Sequence, residues 1–100
     1  MGGVRIIAKR TLREYWETHE DAKDSLESWY TVALAADWEN PQELKSQIGT
    51  ASILKGSRVV FNIKGNDYRL VVKINFAYRV VYIRFIGTHE EYDNINVEEV

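Results

Sequence analysis

No cysteine occurs in the 100 residues, which excludes a disulfide framework and any thiolate metal site. Histidine is nearly as scarce. His19 and His89 are the only two, too few for an imidazole-built metal centre, and the acids are scattered or lie on helix faces. Uninterrupted apolar runs reach only about five residues, far below the roughly 20 that a membrane-spanning helix needs. The start, Met1-Gly2-Gly3-Val4-Arg5-Ile6-Ile7, lacks the apolar stretch and cleavage site of a secretory signal. Ile6 also stands where an N-myristoylation pattern requires Ser or Thr. A glycine-rich phosphate loop and a strand–turn–helix nucleophile elbow are both missing. What remains is the expectation of a cytoplasmic domain with no cofactor, no metal and no membrane contact.

What is present suits one α+β domain spanning residues 1–100. Hydrophobic residues make up 45% and charged residues 28%, the balance of a globular chain rather than a disordered one. Three Trp, six Tyr and three Phe supply bulky apolar area for a small core. The net charge of −2 hides a strong asymmetry. Residues 1–50 hold six Lys/Arg against nine Asp/Glu, and the last twelve residues hold five acids and no Lys or Arg. Between them, residues 51–88 carry Lys55, Arg58, Lys64, Arg69, Lys73, Arg79 and Arg84 against Asp67 alone. Clustered charge of this kind, more than the average, governs contact with polyanions.

Val4 to Ala8 is short and β-branched, which predicts an opening strand. Thr11 and Glu14 have capping-box spacing, and Leu12, Tyr15, Trp16 and His19 follow as the apolar stripe of a first helix. A second helix is expected from near Asp21, burying Ala22, Leu26, Trp29, Tyr30 and Ala33 and fading at Ala36-Asp37. Asn40-Pro41-Gln42-Glu43 marks a third start, with Leu44 and Ile48 inward and Gly49 as stop. From Ala51 the period becomes two. Ser52–Lys55, Arg58–Ile63, Tyr68–Asn75 and Val80–Ile86 read as strands joined by turns at Gly56-Ser57, Lys64–Asp67 and Phe76–Arg79. The chain is thus an antiparallel-rich single sheet with helices packed on one face.

Alternation assigns the two faces of that sheet. Val59, Phe61, Ile63, Tyr68, Leu70, Val72, Ile74, Val81, Ile83 and Phe85 fall on the helix-covered side. Arg58, Val60, Asn62 and Lys64, then Arg69, Val71, Lys73 and Asn75, then Val80, Tyr82, Arg84 and Ile86 fall on the other. Lys and Arg are common on the wet side of a one-layer sheet, so any single cation there is unremarkable. As a set, they lack compensating acids and would repel one another unless the surface meets phosphate. After the last strand, Gly87 is expected to end it sharply and Thr88 to cap a turn of helix. His89 and Tyr92, three apart, would then share one side, an acid–base pair suited to phosphodiester chemistry. A surface His near this position is more often simply solvated, and His19 is better explained as a helix cap.

The string Val60-Phe61-Asn62-Ile63-Lys64-Gly65-Asn66-Asp67-Tyr68-Arg69-Leu70-Val71, with Tyr82-Ile83-Arg84 and Gly87-Thr88-His89-Glu90-Glu91-Tyr92-Asp93, resembles the HigB-type toxins of bacterial type II toxin–antitoxin systems. Arg5-Ile6-Ile7, Trp29-Tyr30 and Ala36-Asp37-Trp38 agree with it, so the resemblance covers nearly the whole chain. It implies a RelE-like β-α-α-β-β-β fold and a ribosome-dependent mRNA endoribonuclease. Such an enzyme would cut mRNA in the ribosomal A site without a metal, by attack of the ribose 2′-OH on its neighbouring phosphate. It also implies a helix-turn-helix antitoxin of HigA type as partner, the free toxin being a monomer. Carried onto this sequence, Arg69 and Arg84 become candidates for clamping the phosphorane, with His89 as acid or base and Tyr92 as its partner or a stacking platform. Lys55, Arg58, Asn62, Lys64 and Lys73 become candidate RNA contacts, and Asp93 a residue that contacts RNA or orients His89. Arg69 and Arg84 would then have to converge beside His89. Two other classes are a RelE-like module that binds RNA or a partner without cutting, and a structural domain whose cationic face meets an acidic protein segment.

Overall fold

The computed structural model describes Val4 to Val100; Met1-Gly2-Gly3, and the expectations about the extreme N-terminus, lie outside the described residues. β1 (Arg5–Ile7) forms as expected and runs parallel to β5 (Val80–Thr88). Its entry is fixed by the Val4 N–H donating to the Leu34 carbonyl (3.1 Å) and the Arg5 N–H to the Arg79 carbonyl (2.9 Å).

The expected capping box at Thr11 and Glu14 does not form. α1 (Lys9–Thr18) begins two residues earlier, after Ala8 in the left-handed conformation (φ 75°) and with no side-chain cap. The Thr11 N–H is given to the Ala8 carbonyl (2.9 Å) inside the first turn, and Glu14 pairs with Arg10 instead (3.4 Å). The helix has to start as soon as β1 leaves the sheet, and packing of Leu12, Tyr15 and Trp16 on the core outweighs a local cap.

A 3-10 turn over Glu20–Ala22 leads into α2 (Lys23–Ala35), which buries Leu26, Trp29 and Ala33. α3 (Pro41–Gln47) begins where Asn40, Pro41 and Glu43 predict: the Asn40 side chain accepts the Glu43 N–H (2.9 Å). It closes the core with Leu44, while the Trp38 indole donates to Gln47 Oε1 (2.7 Å). Trp29 meets Phe61 edge-on (5.3 Å between centroids) and Trp38 lies across the same ring (6.3 Å).

β2 (Ser52–Ile53), β3 (Arg58–Ile63), β4 (Tyr68–Asn75) and β5 complete a five-stranded sheet in the order β1-β5-β4-β3-β2. The pairs β2–β3, β3–β4 and β4–β5 are antiparallel. The β3–β4 turn runs through Lys64–Asp67 between the paired Ile63 and Tyr68; Lys64 and Gly65 take positive φ (52° and 65°), and the Asp67 N–H donates to the Lys64 carbonyl (3.2 Å). The helices cover the face carrying Val59, Phe61, Leu70, Val72 and Val81, each essentially inaccessible to solvent.

Two expectations about β5 are corrected. The register with β4 skips a residue, Val72 facing Ile83 and Val71 facing Phe85, so Arg84 is the extra residue of a β-bulge. Beyond it the parity inverts. Ile86, opposite Leu70, joins the core, and Phe85, opposite Val71, lies on the open face. Gly87 does not end the strand, which continues through Thr88. Gly87 is instead a point of close approach, since a β-carbon there would lie 2.6 Å from the Phe85 ring.

The open face is also not bare. Val60 and Val71 point away from the helices yet are 3% and 0% exposed, outside the main core cluster. The chain leaving α4 (His89–Asp93) at one end of the sheet reaches Arg58 at the other, where the Val100 carbonyl accepts from Nε (3.3 Å) and Nη2 (3.0 Å). To do so, residues 94–100 cross this face with Ile95, Val97 and Val100 half-buried.

Candidate active site

α4 is held by both halves of a capping box. Thr88 Oγ1 accepts the Glu91 N–H (3.1 Å), and Glu91 Oε1 accepts the Thr88 N–H (2.7 Å). The Thr88 N–H bond holds the Glu91 carboxyl below the usual carboxylate range. His89 is thereby fixed as the first residue of the helix, and its own N–H donates to the Asp67 carbonyl (3.0 Å). Its Nδ1 stands 3.4 Å from Asp93 Oδ2, one helical turn on. Along the helix the imidazole therefore has Asp93 as its neighbour. Tyr92 is half-buried.

His89 lines a shallow cleft of about 430 Å³ at the end of the sheet, together with Asn66, Asp67, Thr88 and Glu90. Arg69 enters the same neighbourhood from below. Nη1 donates to the Asn66 and Tyr68 carbonyls (both 3.2 Å), and Nη2 donates to Asn66 Oδ1 (2.6 Å). A guanidinium carries five N–H groups, so this bracing of the turn leaves donors over. Asn66, which lines the His89 cleft, is thus also the residue that Arg69 holds. Arg84 does not join them: it lines a separate groove with Ser57, Lys73, Asn75 and Tyr82, nearer the other end of the strands. Arg84 thus lines a different hollow from the one that holds His89.

The remaining candidates divide by environment. Arg58 is taken up by the Val100 carbonyl. Lys64 turns to Asp21 (3.0 Å) and, less closely, Asp67 (3.9 Å). Arg79 pairs with Asp37 (2.8 Å) and Glu39 (3.4 Å). Lys55, Asn62, Lys73 and Arg84 are exposed, with no ion pair recorded among the described residues. No group of three or more His, Asp or Glu converges on a metal position among the described residues.

A second polar cluster braces the site from the helix side, and no sequence motif announces it. The Tyr15 ring stacks on His19 (4.0 Å, 3° between planes), and both meet Tyr68 edge-on. His19 Nδ1 sits 3.2 Å from the Tyr15 carbonyl and 3.0 Å from Thr18 Oγ1, in keeping with a cap. The Tyr68 hydroxyl donates to Asp21 Oδ1 (2.6 Å). That bond pushes Tyr68 up to about 12 and, with Lys64, draws Asp21 down. The Tyr15 hydroxyl donates to Glu91 Oε1 (3.4 Å), and burial together with the Glu91 charge raises Tyr15 well above its ordinary value. Glu91 therefore ties the His89 helix to α1. A signal for it existed in the Thr88–Glu91 spacing, but the Tyr15 contact spans 76 residues and leaves no local trace.

Comparison with known proteins agrees with this architecture. Residues 22–95 match the family model of the HigB toxin, described as the RelE-like toxic component of a toxin–antitoxin system. The chain is 27% identical over 92 residues to an mRNA interferase toxin HigB of Escherichia coli K12, covering 90% of this chain and 88% of that one. An mRNA interferase HigB of Shigella flexneri aligns at the same identity and coverage. One from Escherichia coli O6:H1 is 26% identical over 94 residues, covering 92% of this chain and 91% of its own.

Proposed function

This chain belongs to the HigB toxin family of RelE-like toxin–antitoxin components, and from that premise we propose that it is an mRNA endoribonuclease whose proton-transfer group is His89. The carrying observation is the His89–Asp93 pair, fixed on a capped helix beside a turn braced by Arg69. In 2′-OH attack the O2′–P bond forms and the P–O5′ bond breaks, so one proton must leave O2′ and another must reach O5′. An imidazole oriented by a carboxylate can take or give such a proton near neutral pH, and the unused N–H groups of Arg69 can meet the developing charge on phosphate. Tyr92 then serves as a packing or stacking partner to the helix.

The protein has an antitoxin as partner by virtue of its family. We assign that partner to the HigA helix-turn-helix type, the cut to mRNA in the ribosomal A site, and the free toxin to a cytoplasmic monomer. No helix of the described residues is long and apolar enough to cross a membrane.

One observation favours a second reading. Asp67 and Glu90 line the His89 cleft and oppose a phosphate there, which suits a domain that binds RNA without cutting it. Induction in cells followed by mapping of mRNA 5′ ends separates the two. A nuclease creates new ends that vanish with His89→Ala, whereas a binder creates none. A fully active His89→Ala protein would rule out the proposed chemistry while leaving the family assignment untouched.

A further inference from the structure

A groove of about 690 Å³ opens on the face of the sheet turned away from the helices, lined by Ser57, Lys73, Asn75, Phe76, Tyr82 and Arg84 among others. Lys73 and Tyr82 stand directly opposite each other in the β4–β5 register, which puts their side chains next to one another on the same face. Arg84 follows two residues later as the bulged residue, and a bulge re-aims the side chain it carries. Among the described residues no acid lines the groove. Arg58 is engaged by Val100 and Arg69 in part by Asn66, while among the described residues Lys73 and Arg84 have no ion pair. Tyr82 is 38% exposed between them, an aromatic ring left in solvent where a packed sheet would cover it. Asn75 Oδ1 is occupied by the Tyr78 N–H (3.1 Å), so the side chain turns only its amide donors outward.

We propose that this groove is a subsite for one nucleotide of single-stranded RNA. Lys73 and Arg84 take a backbone phosphate, the base stacks on the Tyr82 ring, and Asn75 offers a donor to an acceptor on the base edge. The identity of the polymer rests on the nuclease reading; the existence of the site does not. Lys73 lies four residues from Arg69 along β4, about 13 Å at the usual rise of a strand. The nucleotide held here is therefore not the one next to His89. It flanks the cut, and the bulge at Arg84 is what turns a second cation towards it.

The test uses a labelled hexaribonucleotide with 2′-O-methyl groups throughout, which lacks the attacking hydroxyl, and follows its binding to the purified full chain by fluorescence anisotropy. Tyr82→Ala is expected to weaken binding tenfold or more, since stacking carries a large share of single-strand affinity. Tyr82→Phe should keep it. Lys73→Ala and Arg84→Ala should each reduce the dependence of affinity on salt by about one phosphate contact. Arg10→Ala, which removes an exposed cation of α1 outside the groove, should bind as the unaltered protein does. Equal binding by Tyr82→Ala and by the Lys73→Ala, Arg84→Ala double variant overturns the subsite, as does failure of the unaltered protein to bind the oligomer. If no cleavage is ever detected but binding still depends on Tyr82, the nuclease reading falls and the subsite stands.

Discussion

The Arg58 guanidinium holds the carbonyl of Val100 with two N–H groups, 3.3 Å from Nε and 3.0 Å from Nη2. Val100 lies at the end of the sheet's open face away from α4, and its contact with Arg58 draws residues 94–100 across the face that carries Val60 and Val71. Arg58→Ala should lower stability by about 1 kcal/mol, the net value of such a part-buried bond. It should also make the Val60–Val71 patch reachable by solvent. Urea unfolding gives the first quantity, and hydrogen exchange of the residue 95–100 amides the second. Unchanged exchange in that segment would mean that its apolar side chains alone hold it.

Gly87 and Phe85 share one small space. A β-carbon at Gly87 would come within 2.6 Å of Phe85 Cζ and 3.1 Å of Glu91 Oε1. Gly87→Ala should therefore cost about 1–3 kcal/mol through overpacking. A second change, Phe85→Leu, should recover part of that loss because the ring edge is the obstacle. Thermal unfolding of the two single variants and the double variant measures the coupling. Strictly additive losses would show that the ring is not what Gly87 accommodates.

The fold was legible wherever the pattern was local. Asn40-Pro41 placed α3, the Lys64–Asp67 turn joined β3 to β4, and Thr88 placed α4, because each signal is complete within a few residues. The misreadings came where distant packing decides. Thr11 and Glu14 have capping spacing, but the start of α1 is set by where β1 leaves the sheet. Strict alternation put Phe85 in the core and Ile86 outside, and a bulge at Arg84 exchanged them. The adjacent apolar pair Phe85-Ile86 was the visible sign that alternation breaks there. Arg84 lines a different hollow from His89 because similar charge on neighbouring strands says nothing about position along them. The Tyr15–Glu91 and Tyr68–Asp21 contacts were illegible because each pairs a helical residue with one far downstream.

The Tyr68–Asp21 hydrogen bond gives stability a dependence on pH at both extremes. Asp21 is held below its ordinary value of 3.8, so its contribution is present above that pH and is lost as pH falls through the lower folded value. Tyr68 is raised from 10.0 to about 12, so its contribution is present below pH 10 and is lost as pH rises towards 12. Tyr68→Phe should flatten the alkaline limb and weaken the acid one, with Lys64 still acting on Asp21. Unfolding midpoints across both ranges provide the measurement. An alkaline limb of undiminished size in Tyr68→Phe would assign it to Tyr15, which is also raised.

Thr88 connects stability to the chemistry of His89. Its side chain accepts the Glu91 N–H, and the Glu91 carboxylate returns to the Thr88 N–H and also receives the Tyr15 hydroxyl. Thr88→Ala removes the first of these bonds and should cost about 1 kcal/mol. α4 is only five residues long, and its first turn is then left to the Glu91 bond to the residue 88 N–H and the His89 N–H bond to the Asp67 carbonyl. The same substitution should loosen the spacing between His89 and Asp93 and slow the cut. The Lys73–Tyr82 groove lies nearer the opposite end of the strands and should bind RNA as before. Loss should then appear in kcat with KM little changed, the pattern of an interaction that matters in the transition state, and Thr88→Ser should restore both rate and stability. A KM that rises while kcat holds would show that the cap serves substrate binding, and would place the scissile phosphate away from His89.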